Sequence, residues 1–194
     1  DEQRSRYAQT KQAWDNRQMD VVNQLMPTLT TYPLYPYLQY RQITDDLMNQ
    51  PALVVTNFIA ANPTLPPARS LKSRFVNELA RRDDWRGLLA FSPEKPTGTE
   101  AQCNYYYAKW NVGQTQEAWD GAKALWLSGK SQPNACDRLF GAWRASGQQD
   151  PLAYLERIRL AMKAGNTSLV RVLAQQMPSD YQTIATAVIA LAND

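Results

Sequence analysis

Residues 107–119 read Tyr107-Ala108-Lys109-Trp110-Asn111-Val112-Gly113-Gln114-Thr115-Gln116-Glu117-Ala118-Trp119, and the fold is decided there. Small and aromatic residues recur on both sides of a central glycine, the pattern of two amphipathic helices joined by a tight turn. The second run continues through Ala122, Leu125 and Trp126 at spacings of three and four, so that one helix face is apolar.

The same period recurs along the chain. It is carried by Leu71, Phe75, Val76, Leu79 and Ala80, by Leu152, Leu155, Ile158 and Met162, and by Leu169, Val172, Leu173 and Met177. No segment alternates as a strand would. Leu53-Val54-Val55 comes nearest, and Pro51 before it with Phe58-Ile59 after it suits a short helix better. Asp150-Pro151 marks a helix start, and Thr99 with Gln102 and Ser179 with Gln182 have capping-box spacing. Gly113, Gly129, Gly147 and Gly165 follow helical runs as closing residues, and most of the twelve prolines, Pro178 included, fall between runs.

Second helices of successive hairpins are expected to begin near Asp20, Pro51, Asp84, Glu117 and Asp150, at steps of 31, 33, 33 and 33 residues. A helix–turn–helix unit of that length, repeated, signals an all-α, tetratricopeptide-like α-solenoid, a right-handed superhelix of helical hairpins. About ten to twelve helices are expected over residues 1–194, two per repeat.

Composition bounds the chemistry. The 194 residues include six Trp, ten Tyr and four Phe, too many aromatics for a disordered chain. No apolar run is long enough to span a membrane. A net charge of +3, with the charges scattered, gives no case for a nucleic-acid partner. There is no histidine, which removes Ser-His-Asp and Cys-His nucleophiles and His-containing zinc sites. No glycine-rich phosphate loop occurs, so nucleotide binding has no support, and two cysteines cannot build a zinc site by themselves; neither a cofactor nor a metal is expected. Opening at Asp1 rather than Met, the sequence reads as a processed or trimmed product. The close at Leu191-Ala192-Asn193-Asp194 reads either as a natural end or as a cut in a longer chain.

Cys103 and Cys136, the only cysteines, are either two buried thiols or one disulfide. They stand one repeat apart on the first helices of adjacent hairpins, and stacking brings such positions side by side. The bridge is therefore favoured. It would close a loop of about 34 residues, worth roughly 3 to 4 kcal/mol on a chain-entropy account, and it points to an oxidising compartment.

The acidic pairs Asp45-Asp46 and Asp83-Asp84 read as helix-start or turn residues, and the six Glu stand alone outside any catalytic motif. No catalytic residue is expected. Tyr32, Tyr35, Tyr37 and Tyr40 form one aromatic cluster and Tyr105-Tyr106-Tyr107 another, mainly for packing, with at least one of the latter three reaching solvent. Tyr35, Tyr37, Tyr106 and Arg74 are the candidate sugar contacts. Arg41, Arg69, Arg74, Arg81, Arg82 and Arg86 give the middle third a basic, solvated face.

Long stretches carry a family resemblance: Tyr32-Pro33-Leu34-Tyr35-Pro36-Tyr37-Leu38, Arg74-Phe75-Val76-Asn77-Glu78-Leu79-Ala80, Asp84-Trp85-Arg86-Gly87-Leu88-Leu89, Gln102-Cys103-Asn104-Tyr105-Tyr106-Tyr107-Ala108-Lys109-Trp110 and Asp150-Pro151-Leu152-Ala153-Tyr154-Leu155-Glu156-Arg157. From Arg4 to about Ala192 the chain resembles the N-terminal superhelical U-domain of the enterobacterial-type soluble lytic murein transglycosylases. The resemblance implies a periplasmic, non-catalytic scaffold. Its partners would be the linker and catalytic domains of the same parent chain, with which it forms a ring, and the peptidoglycan glycan strands that the parent cleaves to 1,6-anhydromuropeptides. The family's catalytic Glu lies in a Glu-Ser motif, and no Glu here precedes Ser. An alternative is a stand-alone periplasmic solenoid adaptor that binds another protein.

Overall fold

The computed structural model describes residues 1–177 and 179–192, with backbone alone at 180, 185, 188 and 192; Pro178 and the Asn193-Asp194 end lie outside the described residues. The described residues form twelve α-helices, two short 3₁₀ turns and no strand. The all-α class and the hairpin organisation are thus as the period predicts.

The chain divides into two compact units, residues 1–75 and 76–194. The first holds α1 (Glu2–Asp15), α2 (Met19–Leu25), α3 (Tyr35–Asp45), α4 (Ala52–Ala61) and the start of α5 (Pro66–Arg81). Its core gathers Trp14, Val22, Met26, Leu29 and Leu38, with Tyr7, Tyr32 and Tyr35 packed against it. The second holds the end of α5, then α6 (Trp85–Phe91), α7 (Thr99–Asn111), α8 (Thr115–Trp126), α9 (Cys136–Ala145), α10 (Leu152–Lys163), α11 (Thr167–Gln176) and α12 (Ser179–Ala192). Its core runs from Cys103 and Trp119 through Trp126, Phe140 and Ile158 to Leu173.

One turn recurs in four hairpins. Two residues past the ends of α1, α5, α7 and α10 stands a residue with positive φ: Arg17 at 57°, Asp83 at 55°, Gly113 at 88° and Gly165 at 74°. The next residue's N–H reaches back five positions: Gln18 to the Ala13 carbonyl at 2.8 Å, Asp84 to Leu79 at 3.0 Å, Gln114 to Lys109 at 2.9 Å and Asn166 to Ala161 at 2.8 Å. These bonds take up helix-end carbonyls that would otherwise lack partners. Arg17 and Asp83 do this without glycine, so the left-handed backbone costs about 1 to 2 kcal/mol at each. Residue type therefore does not reveal those two closures.

Helices α2, α4, α6 and α8 begin within two residues of the expected positions. The last expected start differs. The helix beginning at Leu152 packs chiefly on the following α11, so α10 opens a hairpin rather than closing one. In the same way α9 lies on both α7 and α8, and α12 on both α10 and α11.

Several local expectations are corrected. Gly98, not Thr99, stands at the cap of α7, and Gln102 donates instead to the Pro96 carbonyl at 3.1 Å. Gly129 has no positive φ. Its role is close approach, because a Cβ there would strike the Leu160 carbonyl oxygen of α10. On α10, Leu152 is 60% exposed, and Ala153, Tyr154, Arg157 and Ile158 form the buried face. On α11, Val172 is exposed and Val170 takes its place beside Leu169 and Leu173.

Cys103 of α7 and Cys136, the first residue of α9, are bridged, with their Cα atoms 5.0 Å apart. The bond joins the first helix of one hairpin to the helix stacked on it. Replacing both cysteines by alanine should lower the stability of the second unit by about 3 kcal/mol. Thermal unfolding with and without reductant checks this; a transition indifferent to reduction would show that the bridge constrains nothing.

Candidate functional site

The four sequence-nominated sugar contacts fall in different units. Tyr37 is 40% exposed at the start of α3. Tyr35 is half-buried against the first unit's core. Arg74 is exposed and donates to the Tyr40 hydroxyl at 3.0 Å. Tyr106, on α7 in the second unit, lays its ring over Gly121 of α8, where a Cβ would collide with it. Burial raises the Tyr106 hydroxyl above its ordinary pKa, and the neighbouring Tyr105 and Glu117 add to the effect. None of Tyr105, Tyr106 and Tyr107 is fully exposed. Helices α6, α8 and α9 surround α7, so each ring meets a neighbour.

The structure adds an aromatic strip that the sequence reading missed. Trp85 of α6 meets Tyr107 edge-on at 5.1 Å, Tyr107 meets Trp110 at 5.4 Å, and Trp110 meets Trp119 of α8 at 6.2 Å. The Arg138 guanidinium lies 5.0 Å from the Trp85 ring and 4.7 Å from Tyr107, and it pairs with Asp83 at 3.3 Å. Trp110 is 36% exposed. The only sequence signal for this strip was aromatic recurrence at helical spacing, which core packing produces equally well.

A second arginine stack is buried. Arg157 of α10 is 4% exposed. Its guanidinium lies 4.4 Å from the Trp126 ring and 5.6 Å from Phe140. It donates to the Lys130 carbonyl at 3.2 Å, while its Nε has no partner among the described residues. No carboxylate stands within ion-pair distance of it among those residues. Burial pulls its pKa below the ordinary arginine value, against a smaller opposing effect of Tyr154.

Several carboxylates are engaged in structure. Asp84 caps α6 by accepting from the Gly87 N–H at 3.0 Å, as expected of a helix start. Asp83 lies in a turn, again as expected, whereas Asp45 does otherwise. Asp83 is the left-handed closure paired with Arg138, and Asp45, at the end of α3, accepts from the Trp14 indole and pairs with Arg17. The basic face is also partly neutralised. Arg41 pairs with Asp15 at 2.7 Å, and Arg81 and Arg82 both bind Glu78, at 2.7 and 2.9 Å. Those arginines hold the Glu78 carboxyl below its ordinary pKa, the Arg81 hydrogen bond most of all. Arg159 does the same to Glu156. A general acid needs the opposite shift. Among the described residues no cluster of His, Cys, Asp or Glu could hold a metal ion, and no helix is long and apolar enough to cross a membrane.

No family model matches the chain. Over its whole length it is 82% identical to the soluble lytic murein transglycosylase of Escherichia coli K12 and 80% identical to that of Salmonella typhimurium, and it spans 30% of the length of each. Among solved structures, the crystal structure of the 70-kDa soluble lytic transglycosylase from Escherichia coli matches all of this chain with a TM-score of 0.95 at 82% identity, over 31% of that protein. An inactive mutant of the lytic transglycosylase of Pseudomonas aeruginosa matches 97% of the chain with a TM-score of 0.87 at 33% identity, again over 31% of its own length.

The Glu78 cluster gives a pH-dependent prediction. Because the folded-state pKa is lowered from 4.5, the stabilisation is complete above that value and is lost as pH falls through the folded-state pKa. Glu78→Gln should lower the melting temperature at pH 7, and its gap from wild type should close in acid. A gap independent of pH, measured by thermal unfolding, would contradict the pairing.

Proposed function

We propose that this chain, similar end to end to nearly a third of the soluble lytic murein transglycosylases, serves as the superhelical scaffold of a peptidoglycan-cleaving enzyme. Residues 1–194 form its U-domain, working in the periplasm. It contributes to a ring with the linker and catalytic domains of the same polypeptide, and the ring positions a glycan strand for cleavage to 1,6-anhydromuropeptides. The observation that supports this most is identity of 82% over every residue of the chain, joined to a TM-score of 0.95. The disulfide agrees with an oxidising compartment.

The chemistry of the residues points the same way. Glycosidic cleavage needs an acid held close to the bridging oxygen with its pKa raised, in a desolvated site. Glu78 and Glu156 shift downward, and Glu117 is exposed beside Lys109 at 3.1 Å. The chain's part is to present surface. Tyr37 offers an open ring and Arg74 an exposed guanidinium, with Tyr35 and Tyr106 as flatter, half-buried contacts for sugar rings.

Purified chain incubated with murein sacculi should release no anhydromuropeptides detectable by mass spectrometry, whereas the intact enzyme should release them readily. Release by the chain alone at a comparable rate, with contaminating enzyme excluded, would show a missed active site and overturn the scaffold reading.

A further inference from the structure

One face of α1 carries Arg4, Tyr7, Lys11 and Asp15 at spacings of three and four. With Tyr32 and Leu34 it lines an open groove of about 410 Å³ in the first unit. The Tyr7 and Tyr32 rings meet at 5.3 Å with their planes tilted by 43°. Both are half-buried: they pack against the unit's core and also line the groove. Burial raises the Tyr7 hydroxyl above its ordinary pKa, and Tyr32 and Tyr37 add to the effect. Tyr37, 40% exposed and a candidate sugar contact, therefore stands close to this pair.

The charges of the groove do not cancel. Asp15 is taken by Arg41 of α3 at 2.7 Å. Arg4 and Lys11 are exposed and have no carboxylate partner among the described residues, and the Lys11 ammonium lies 5.7 Å from the centre of the Tyr7 ring. Aromatic walls beside two unpaired cations are complementary to an anion that carries rings.

Spacing narrows the ligand further. Seven residues separate Arg4 from Lys11, about 10 Å along the helix axis. That is close to the length of a disaccharide, and a peptidoglycan strand bears a carboxylate-ended substituent on every second sugar. A nucleic-acid strand places its charges far closer together, about 3.4 Å apart. Pyranose C–H faces are weakly positive and lie well on the electron-rich face of a tyrosine, whose hydroxyl can serve the sugar hydroxyls.

We propose that the groove between α1 and the turn at 32–34 binds a peptidoglycan strand, with a sugar on the Tyr7–Tyr32 pair and carboxylates of successive disaccharide units on Arg4 and Lys11. This rests on the scaffold reading and names where on the first unit the strand is held.

Calorimetric titration of the purified chain at low salt tests it with three probes: soluble peptidoglycan strands carrying their peptides, neutral chitotetraose, and poly-L-glutamate of matching charge. The strands should bind saturably and the other two at least about tenfold more weakly. Arg4→Gln with Lys11→Gln should weaken strand binding about tenfold. Arg69→Gln with Lys72→Gln, which removes the same charge from exposed positions of α5, should leave it unchanged. Circular dichroism checks that the variants fold, and if they do not, the probe comparison on the wild-type chain still decides. Equal binding of chitotetraose or poly-L-glutamate, an equal loss in the α5 variant, or no binding of the strands would overturn the proposal. Those outcomes leave the scaffold reading standing, because that reading fails on release of anhydromuropeptides by the chain alone.

Discussion

The Trp126 side chain, at the end of α8, is where three helices of the second unit converge. Its Nε1–H donates to the Ala153 carbonyl of α10 at 2.9 Å. Phe140 and Trp143 of α9 meet its ring at 5.0 and 6.3 Å, and Tyr154 of α10 at 4.9 Å, all nearly edge-on. Arg157 covers the ring at 4.4 Å. Such edge contacts place the positive rim of one ring against the electron-rich face of another and add to the apolar burial. One turn before Phe140, Cys136 ties the start of α9 to α7. Helix α9 is thus held at its beginning by a covalent bond and along its face by Trp126.

This constraint accounts for the buried face of α10. With Trp126 donating to Ala153, met edge-on by Tyr154 and covered by Arg157, that face must turn inward, and Leu152 is left outside. Apolar periodicity alone pointed to Leu152, Leu155, Ile158 and Met162, because it treats an arginine as polar. Here the guanidinium is a flat lid on an indole, a role that only the three-dimensional placement of Trp126 and Phe140 reveals. Helix positions and the cysteine pairing were legible in the sequence, since both follow from local spacing and from repeat stacking. The closures at Arg17 and Asp83 were not, since their left-handed backbone is imposed by the hairpin and not by residue type. Of the candidate contacts, spacing identified tyrosines but could not separate exposed Tyr37 from Tyr106, whose ring covers Gly121. The Trp85–Tyr107–Trp110 strip stayed hidden for the same reason.

A stack held by inter-helix side-chain links suits the scaffold role proposed for it. Hairpins that touch only their neighbours rely on each junction, and both ends of α9 have one. Three carboxylates have such local roles: Asp83 reaches Arg138 of α9, Glu78 pairs with Arg81 and Arg82 at the end of its own helix, and Asp84 caps α6. Glu78, held below its ordinary pKa by the Arg81 hydrogen bond, is set for pairing and not for protonating a leaving group.

The central claim is that Trp126 couples α8, α9 and α10 into one cooperative body. Native-state hydrogen exchange on Trp126→Phe tests it most directly, because phenylalanine keeps a ring but loses the N–H to Ala153. The account predicts that amides of α8, α9 and α10 lose protection together, by a common factor of about ten, while those of α1 to α4 are unchanged. Loss confined to the residues around position 126, with α9 and the rest of α10 protected as before, would contradict it.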